Sequence, residues 1–495
     1  MEIIGSLIIS ISQSILFYGK EIGISMIIFI LIANGIIGYI LNRKNKIKNK
    51  KAFLLMIPIM LLASTYFIFS NTIFHIANFA IIILLNLLMY LIATDKKKYF
   101  MDYIYSIFEI VANTVFEVKD SLEFTKNKAK KNINTNHKID INSIKKIGIS
   151  FLIVFAIVGV VIILLASADS LFAEIFSGIG DMLKNINVGN VFSLILRLVI
   201  IVLIYFLCLN FILKIQEMKY KEKQQIKEKS DKYNFTIKLL LIALNIVYLV
   251  FCYIQVKSLF AKINLDSTFN YAEYARSGFF QLMFVSLINF VVILISTQYN
   301  VKKEKLIKIL DLLLIVFTII IVLSSMFRMY MYEAEFGLTY LRIFVYIILL
   351  TELIIFIPTT IYIFNTKLDL LKWYATILMC VYVVANFANI ERIIIYKNLN
   401  KNTSEVPIDY EYISKIATED SYDILKEQSQ KEDVDTKEKL KLTRILLKIV
   451  NNEEEMKWQE FNISKYKLQN QKDNIRRFRE SNTTIRELAY RGEKN

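Results

Sequence analysis

Two sets of ionisable side chains stand out in this chain because the residues around them are apolar. The first set, Asp169, Glu273, Arg276, Glu333, Glu335 and Arg342, lies at the ends of long apolar runs, with Tyr271, Tyr274, Tyr330, Tyr332 and Tyr340 interleaved. Glu273 and Arg276 are spaced i, i+3, so on a helix they share a face and can pair. Carboxylates, guanidinium groups and phenols gathered at one rim would form a mouth for a polar ligand. The same residue types also collect at a membrane surface, where amphipathic side chains sit at headgroup level and carboxylates satisfy the arginines. The second set, Arg197, Asp311 and Glu352, lies inside apolar runs. Burying such groups is costly, so each is a functional candidate by default. Asp311 and Glu352 sit on neighbouring runs, Asp311 about one helical turn from the end of its run and Glu352 nearer the middle of its own. That arrangement suits a carboxylate relay for a proton or cation. Pairing of Arg197 with one of the two acids, as glue between helices, is the structural alternative.

Signatures of other chemistries are missing. There is no Gly-x-x-x-x-Gly-Lys phosphate loop, no dinucleotide-type glycine fingerprint, no Gly-x-Ser-x-Gly elbow and no His-Glu-x-x-His, so no catalytic residue is assigned. Two histidines, His75 and His137, lie far apart, and the three cysteines, Cys208, Cys252 and Cys380, each fall inside an apolar run. Neither a zinc site nor a disulfide framework is expected from that pattern, and no cofactor is implied.

The elements that carry these residues must be membrane helices. A chain of 495 residues that is 55% hydrophobic, with a mean hydropathy of +0.47 and 3 prolines, has more apolar side chains than a soluble core of ordinary size can hide. Its net charge of +16 comes from lysines in short loops between apolar runs. They read as topology signals, which excludes nucleic-acid binding as the meaning of the charge. The apolar start at Ile3 lacks a basic region before it and a small-residue cleavage site after it, so no cleavable signal is expected.

Residues 3–18, broken by Ser6, Ser10, Ser12 and Ser14, fall short of the roughly 20 residues a span needs and predict an interfacial or packed helix. Ten spans are expected, at 22–41, 53–69, 73–93, 148–166, 191–213, 235–256, 279–296, 307–326, 340–364 and 373–390. Residues 99–118 predict an amphipathic helix on the membrane surface, followed by a lysine-rich segment over 119–146. Basic clusters fall on every second loop, among them Lys44 to Lys51, Lys96 to Lys98, Lys219 to Lys232 and Lys302 to Lys305. This positive-inside pattern puts the N-terminus and everything after Ile390 outside the cytoplasm.

The stretch from Lys401 to Asn495 holds 19 basic and 19 acidic residues, so the excess charge belongs to the membrane part. Ile408, Tyr412, Ile413 and Ile416, then Tyr422, Ile424 and Leu425, then Leu440, Leu442, Ile445, Leu446, Ile449 and Val450 recur at helical spacing. Asp435 and Thr436 stand where the longest of these helices would be capped. A small helical domain is expected, packed on itself or on the outer membrane surface.

Four stretches taken together resemble a known family: residues 165–172 (LASADSLF), 271–280 (YAEYARSGFF), 335–342 (EFGLTYLR), and Asn389-Ile390-Glu391 followed by Tyr396-Lys397-Asn398-Leu399. In order and spacing they look like bacterial membrane proteins of domain-of-unknown-function family 4173, akin to family 4153. Phe461-Asn462-Ile463-Ser464 is similar to the C-terminal signature of that family. The resemblance covers roughly residue 148 onward, with the first hairpin matching in hydropathy alone. It implies a bacterial cell-membrane location and no established activity.

The expectation is an all-α polytopic bundle with a small extracytoplasmic helical domain. Its parts are 1–93 (short helix and three spans), 94–146 (basic cytoplasmic segment), 147–390 (seven-span core) and 391–495 (tail). The partners implied are membrane lipids and an envelope protein met through 391–495. Three functions remain open: an envelope-facing binding, scaffold or accessory component, an ion-coupled transporter using Asp311 or Glu352, and an outer-face lipid-linked transferase using a carboxylate such as Asp169 or Glu273.

Overall fold

The computed structural model describes residues 1–94, 100–116, 123–125, 188–217, 234–260, 271–299, 304–401, 407–432, 434–451 and 456–470. Among these the regular elements are helices, without a strand. Nine helices of the described residues are long and apolar enough to cross a membrane, and they coincide with nine of the ten expected spans. The remaining expectation, 148–166, lies outside the described residues, as does nearly all of 119–146.

The described chain falls into two compact units. In the unit built from Met1–Lys20, Leu31–Lys46 and Phe108–Met218, the short helix α1 (Glu2–Phe17) packs on α6 (Val188–Glu217). Ser6, Ser10 and Ser14 recur every four residues and are buried, whereas Ile4, Leu7, Ile8, Ile11 and Ile15 face outward. Small residues on the packing side let helices approach closely in lipid. Gly5 belongs to the same side, where a Cβ would stand 2.7 and 2.8 Å from the Ile40 and Ile36 side chains of α2 (Ser25–Arg43). The serines that interrupt the apolar run are therefore its packing face.

The second unit comprises Glu21–Ile30, Ile47–Ile107 and Lys219–Asn495. A hairpin of α3 (Met56–Ile68) and α4 (Thr72–Thr94) precedes α5 (Phe100–Phe116). Then α7 (Asn234–Phe260), α8 (Tyr271–Tyr299), α9 (Lys305–Phe336), α10 (Tyr340–Phe364) and α11 (Leu370–Phe387) form the apolar body. α8 packs along α9, with α7 and α10 also against α9. The buried positions of α8 include Phe279, Leu282, Ser286, Asn289, Ile293 and Ser296; those of α9 include Ile307, Asp311, Leu314, Thr318, Ile321, Ser325 and Arg328. Both sets step by alternating threes and fours, the spacing of a seam between helices packed nearly parallel in axis.

α9 outruns its expected span by ten residues and is about 48 Å long at 1.5 Å per residue. Loss of hydropathy after Met326 marks where the lipid ends, while the helix itself stops only at Gly337, whose φ of +76° suits glycine. Thr339 then caps α10 by accepting from Arg342 N–H, and Asp369 caps α11 by accepting from Lys372 N–H.

The tail folds on itself as its periodicity predicts. α12 (Ile390–Leu399), α13 (Tyr410–Ile416), α14 (Tyr422–Gln430), α15 (Thr436–Asn451) and α16 (Ile463–Gln469) enclose a core of Ile395, Ile413, Leu425, Leu442, Ile445 and Ile449. Asp435 precedes α15 and its carbonyl accepts from Lys439 N–H. This domain sits on the gathered ends of α3, α4, α9, α10 and α11. Ile24 N–H donates to Phe461 carbonyl at 3.1 Å, and Gly23 is so close that a Cβ would lie 2.6 Å from the Glu460 backbone. Gly23→Ala is expected to push residues 460–461 away at a cost of about 1–3 kcal/mol, as for other overpacked sites. Limited proteolysis of the full chain should then cut the tail faster than in the unsubstituted protein.

Candidate functional site

The polar residues of the α8/α9 seam come in facing rungs. Ser296 Oγ donates to Asp311 Oδ2 at 3.0 Å, Asn289 Nδ2 donates to Thr318 Oγ1 at 3.1 Å, and Ser325 Oγ donates to the Phe279 carbonyl at 3.1 Å. Tyr248 of α7 donates to Asn289 Oδ1 at 2.7 Å, and Asn245 Nδ2 reaches the Leu310 carbonyl at 3.2 Å. From α10, Glu352 accepts from Ser286 Oγ at 2.8 Å. Apolar layers separate the rungs, with Ile293 and Leu314 fully buried between Asn289 and Ser296. Asp311 and Glu352 thus share α8 as a neighbour while answering to serines ten residues apart. Neither acid has a basic partner among the described residues.

Arg197 has its described contacts within its own unit. Its Nε donates to Ser14 Oγ at 2.7 Å and its guanidinium lies 5.6 Å from the Tyr18 ring centroid, in the unit that holds α1 and α6.

At the tail end, two of the expected rim residues, Glu333 and Arg342, have side chains engaged by protein groups. Glu333 accepts from Lys397 Nζ at 2.8 Å and from Tyr346 Oη at 3.0 Å. Arg342 is 9% exposed, donates to the Gly337 carbonyl and stacks 4.3 Å from the Tyr332 ring centroid. The Glu335 carbonyl accepts from Lys401 Nζ. Asn398 clamps Leu338 on both sides, accepting its N–H at 2.6 Å and donating to its carbonyl at 2.8 Å. Tyr271, Glu273, Tyr274 and Arg276 lie in the first two turns of α8, where only the backbone is described, and Asp169 lies outside the described residues.

The α3/α4 tip is the other anchor. Only residues 69–71 separate the two helices, too few to satisfy their own backbone. Both carboxylate oxygens of Asp420 accept from Ser70 N–H, at 3.1 and 2.9 Å. Asn462 Nδ2 donates to the Tyr66 and Phe69 carbonyls at 3.0 and 2.7 Å, and Ser464 Oγ to the Ile68 carbonyl at 3.0 Å. Asn71 bonds Tyr340 Oη, and Tyr340 N–H donates to Tyr412 Oη at 2.9 Å, joining the tip to α10 and α13. Beside Asp420, the wholly buried Glu391 accepts from Thr418 N–H at 2.7 Å, Thr418 Oγ1 at 2.8 Å and Ser421 Oγ at 2.8 Å. A cavity of about 10 Å³, room for one water, is lined by Thr65, Asn71, His75, Asn386 and Asp420 together with apolar Phe69, Phe74 and Ile390. Burial pushes Glu391 up to about 7, opposed by its Thr418 and Ser421 donors and helped by nearby Asp420. Burial likewise pushes Asp420 up to about 6 against its Ser464 and Ser70 donors.

A family model, Domain of unknown function (DUF4153), matches residues 56–428. The chain belongs to the DUF4153 family. This is the kin family in the resemblance drawn from the sequence, and the match does not extend to membership of family 4173. It begins at α3, so the first hairpin is part of the DUF4153 region, and it ends before the 461–464 stretch. No curated protein and no solved structure matches the chain.

In this DUF4153 protein, residues quoted for the resemblance do much of the docking. Asn389, at φ +45°, caps α12 by accepting from Arg392 N–H, and Glu391, Asn398, Asn462 and Ser464 make the contacts above. The serines and asparagines of the seam went unmarked because they are uncharged. Their three-and-four spacing on α8 was the available signal.

Because Glu391 and Asp420 bind protons more tightly when buried than in an unfolded chain, the docked tail is favoured at low pH and loses stability as pH rises through about 6 to 7. The melting temperature of the full-length protein in detergent is expected to fall by several degrees between about pH 5 and about pH 8. Glu391→Gln should flatten that slope.

Proposed function

We propose that this DUF4153 protein is an envelope-facing, non-enzymatic component of the bacterial cell membrane, a binding or scaffold subunit whose tail is a fixed outer cap. One observation supports the reading above others. Asp420, Asn462, Ser464 and Asn398 are spent on backbone groups at the span ends, so the tail presents a rigid surface instead of a tethered chain. Tyr396, Trp458 and Tyr466 are exposed on that domain, and rigid aromatic side chains are the residues a partner most readily engages.

Sidedness follows from charge. The bundle end away from the tail bears Lys48, Lys50, Lys51, Lys305, Lys308, Lys367 and Lys372. Such an excess belongs to the cytoplasmic face, which leaves the tail outside. A transferase gains no support from the rim residues that are described, since Glu333 and Arg342 are engaged by protein. Ion coupling keeps support from Asp311 and Glu352, which have no ion-pair partner among the described residues.

A photo-crosslinking residue at Tyr396 or Trp458 of the full chain is expected to give a discrete protein adduct in living cells, absent when it is placed at lipid-facing Ile357. Indistinguishable adduct patterns at the three positions would count against a partner surface. A cysteine at Lys467 should react with a membrane-impermeant maleimide in intact cells, and labelling only after lysis would reverse the orientation.

A further inference from the structure

We propose that Asp311 and Glu352 are two reversible proton-binding sites within the membrane, so that the seam of α8, α9 and α10 takes up and releases protons. This goes beyond the capping role and does not depend on which face carries the tail.

The geometry is the same at both acids. Asp311 is 1% and Glu352 4% exposed. One oxygen of each accepts a serine hydroxyl of α8, and the other, Asp311 Oδ1 or Glu352 Oε1, is buried without a hydrogen-bond partner among the described residues. Neither belongs to an ion pair among the described residues. The charged groups of the surrounding helices form no ion pair with either acid among the described residues. On α7, Lys238 is paired with Glu304. α8 has no charged residue from Phe279 to Thr297. On α9, Lys308 stands one turn before Asp311 without an ion pair to it among the described residues, Lys305 lies a further turn toward the basic end, and Arg328 stands 17 residues beyond Asp311, about 25 Å along the helix. On α10, Arg342 is bound at Gly337 and Tyr332. The phenols nearby are committed too: Tyr248 to Asn289, Tyr346 to Glu333, and Tyr374 of α11 to Thr359, while Tyr362 lies ten residues beyond Glu352 on α10.

An ionised carboxylate so deeply buried, with no ion-pair partner among the described residues, is in a state far costlier than the neutral acid. A proton on the orphaned oxygen removes the charge and needs no coordination shell. A hard metal cation would want six or more oxygens, and each acid here is met by one serine hydroxyl, that of Ser286 also lying 2.8 Å from the Met283 carbonyl. The chemistry is a simple equilibrium, carboxylate plus proton giving carboxylic acid. The sites are also separate. Ser286 and Ser296 are ten residues apart on α8, about 15 Å, with the Ile293 and Leu314 layer between. Two independent titrations follow, rather than one proton shared by a pair.

The test is infrared difference spectroscopy on the full-length protein in lipid vesicles, stepped from about pH 5 to about pH 9, a range set to span the folded range of perturbed carboxyls. Two protonated-carboxyl C=O bands are expected to bleach, one lost in Asp311→Asn and the other in Glu352→Gln. Should either variant fail to insert, Ser296→Ala is expected to move only the Asp311 band and Ser286→Ala only the Glu352 band, because each acid loses its one hydroxyl donor. Spectra without a pH-sensitive carboxyl band, or bands indifferent to all four substitutions, would overturn the proposal. Bands that respond to sodium at fixed pH would overturn it in favour of a metal cation.

Discussion

Hydrocarbon offers no hydrogen bonds, so every backbone or side-chain polar group inside the bundle must find its partner within the protein. That constraint explains why, within the second unit, the tail packs on the span ends. The α3/α4 hairpin turns in three residues, which leaves the Tyr66, Ile68 and Phe69 carbonyls and the Ser70 N–H without local partners. Asn462, Ser464 and Asp420 provide them across more than 340 residues of sequence. The turn at Gly337 to Thr339 meets the same need through Asn398, Lys401 and Tyr412. The tail therefore completes the membrane part, and its own apolar core holds the partner residues in position.

Within the bundle the same constraint acts on side chains. A seam of leucine and isoleucine alone would let α8 slide along α9 with little penalty, since lipid tails are as apolar as the seam. Rungs at Ser325, at Asn289 with Thr318, and at Ser296 with Asp311 are satisfied in one register only. A slip of one rung would set Asn289 or Asp311 against Ile293 or Leu314. Polar residues at seam positions fix alignment in helix pairs generally, at some cost in stability. The serine and asparagine rungs fulfil that role here without any charge. The two acids add charge to positions where a neutral residue would align the helices as well.

Most of the architecture was legible in the chain. Hydropathy and lysine placement located the spans, and the three-and-four spacing of Ile413, Leu425, Leu442, Ile445 and Ile449 gave the tail its core. The length of α9 was not legible from hydropathy, because hydropathy reports the lipid boundary whereas the helix ends at a glycine ten residues later. Glu333 and Arg342 were legible as exceptional residues, but their pairing with Lys397 and Tyr332 depends on a fold that brings α12 over the α9/α10 turn. The described contact of Arg197 was not legible for a related reason. Its partner is Ser14, a hydroxyl on a helix too short to be read as a span, and no charge pattern announces such a bond.

The cap and the buried acids are joined by the helices they share. α9 carries Asp311 near one end and Glu333 at the other; α10 carries Arg342 in its first turn and Glu352 ten residues on, about 15 Å deeper. Helices of this length transmit displacement along their axes with little loss, so an axial shift of α10 past α8 large enough to separate Glu352 from Ser286 also displaces Arg342 and Tyr340. Those residues are tied to Gly337, Asn71 and Tyr412. Axial freedom at the acids is thus limited by contacts that the tail maintains at the bundle end. Rotation of a side chain about its own torsions is not limited in that way. Proton exchange at Glu352 can accordingly proceed by carboxyl reorientation beneath an undisturbed cap, whereas any movement of the helix itself requires the Asn398 and Tyr412 contacts to yield first.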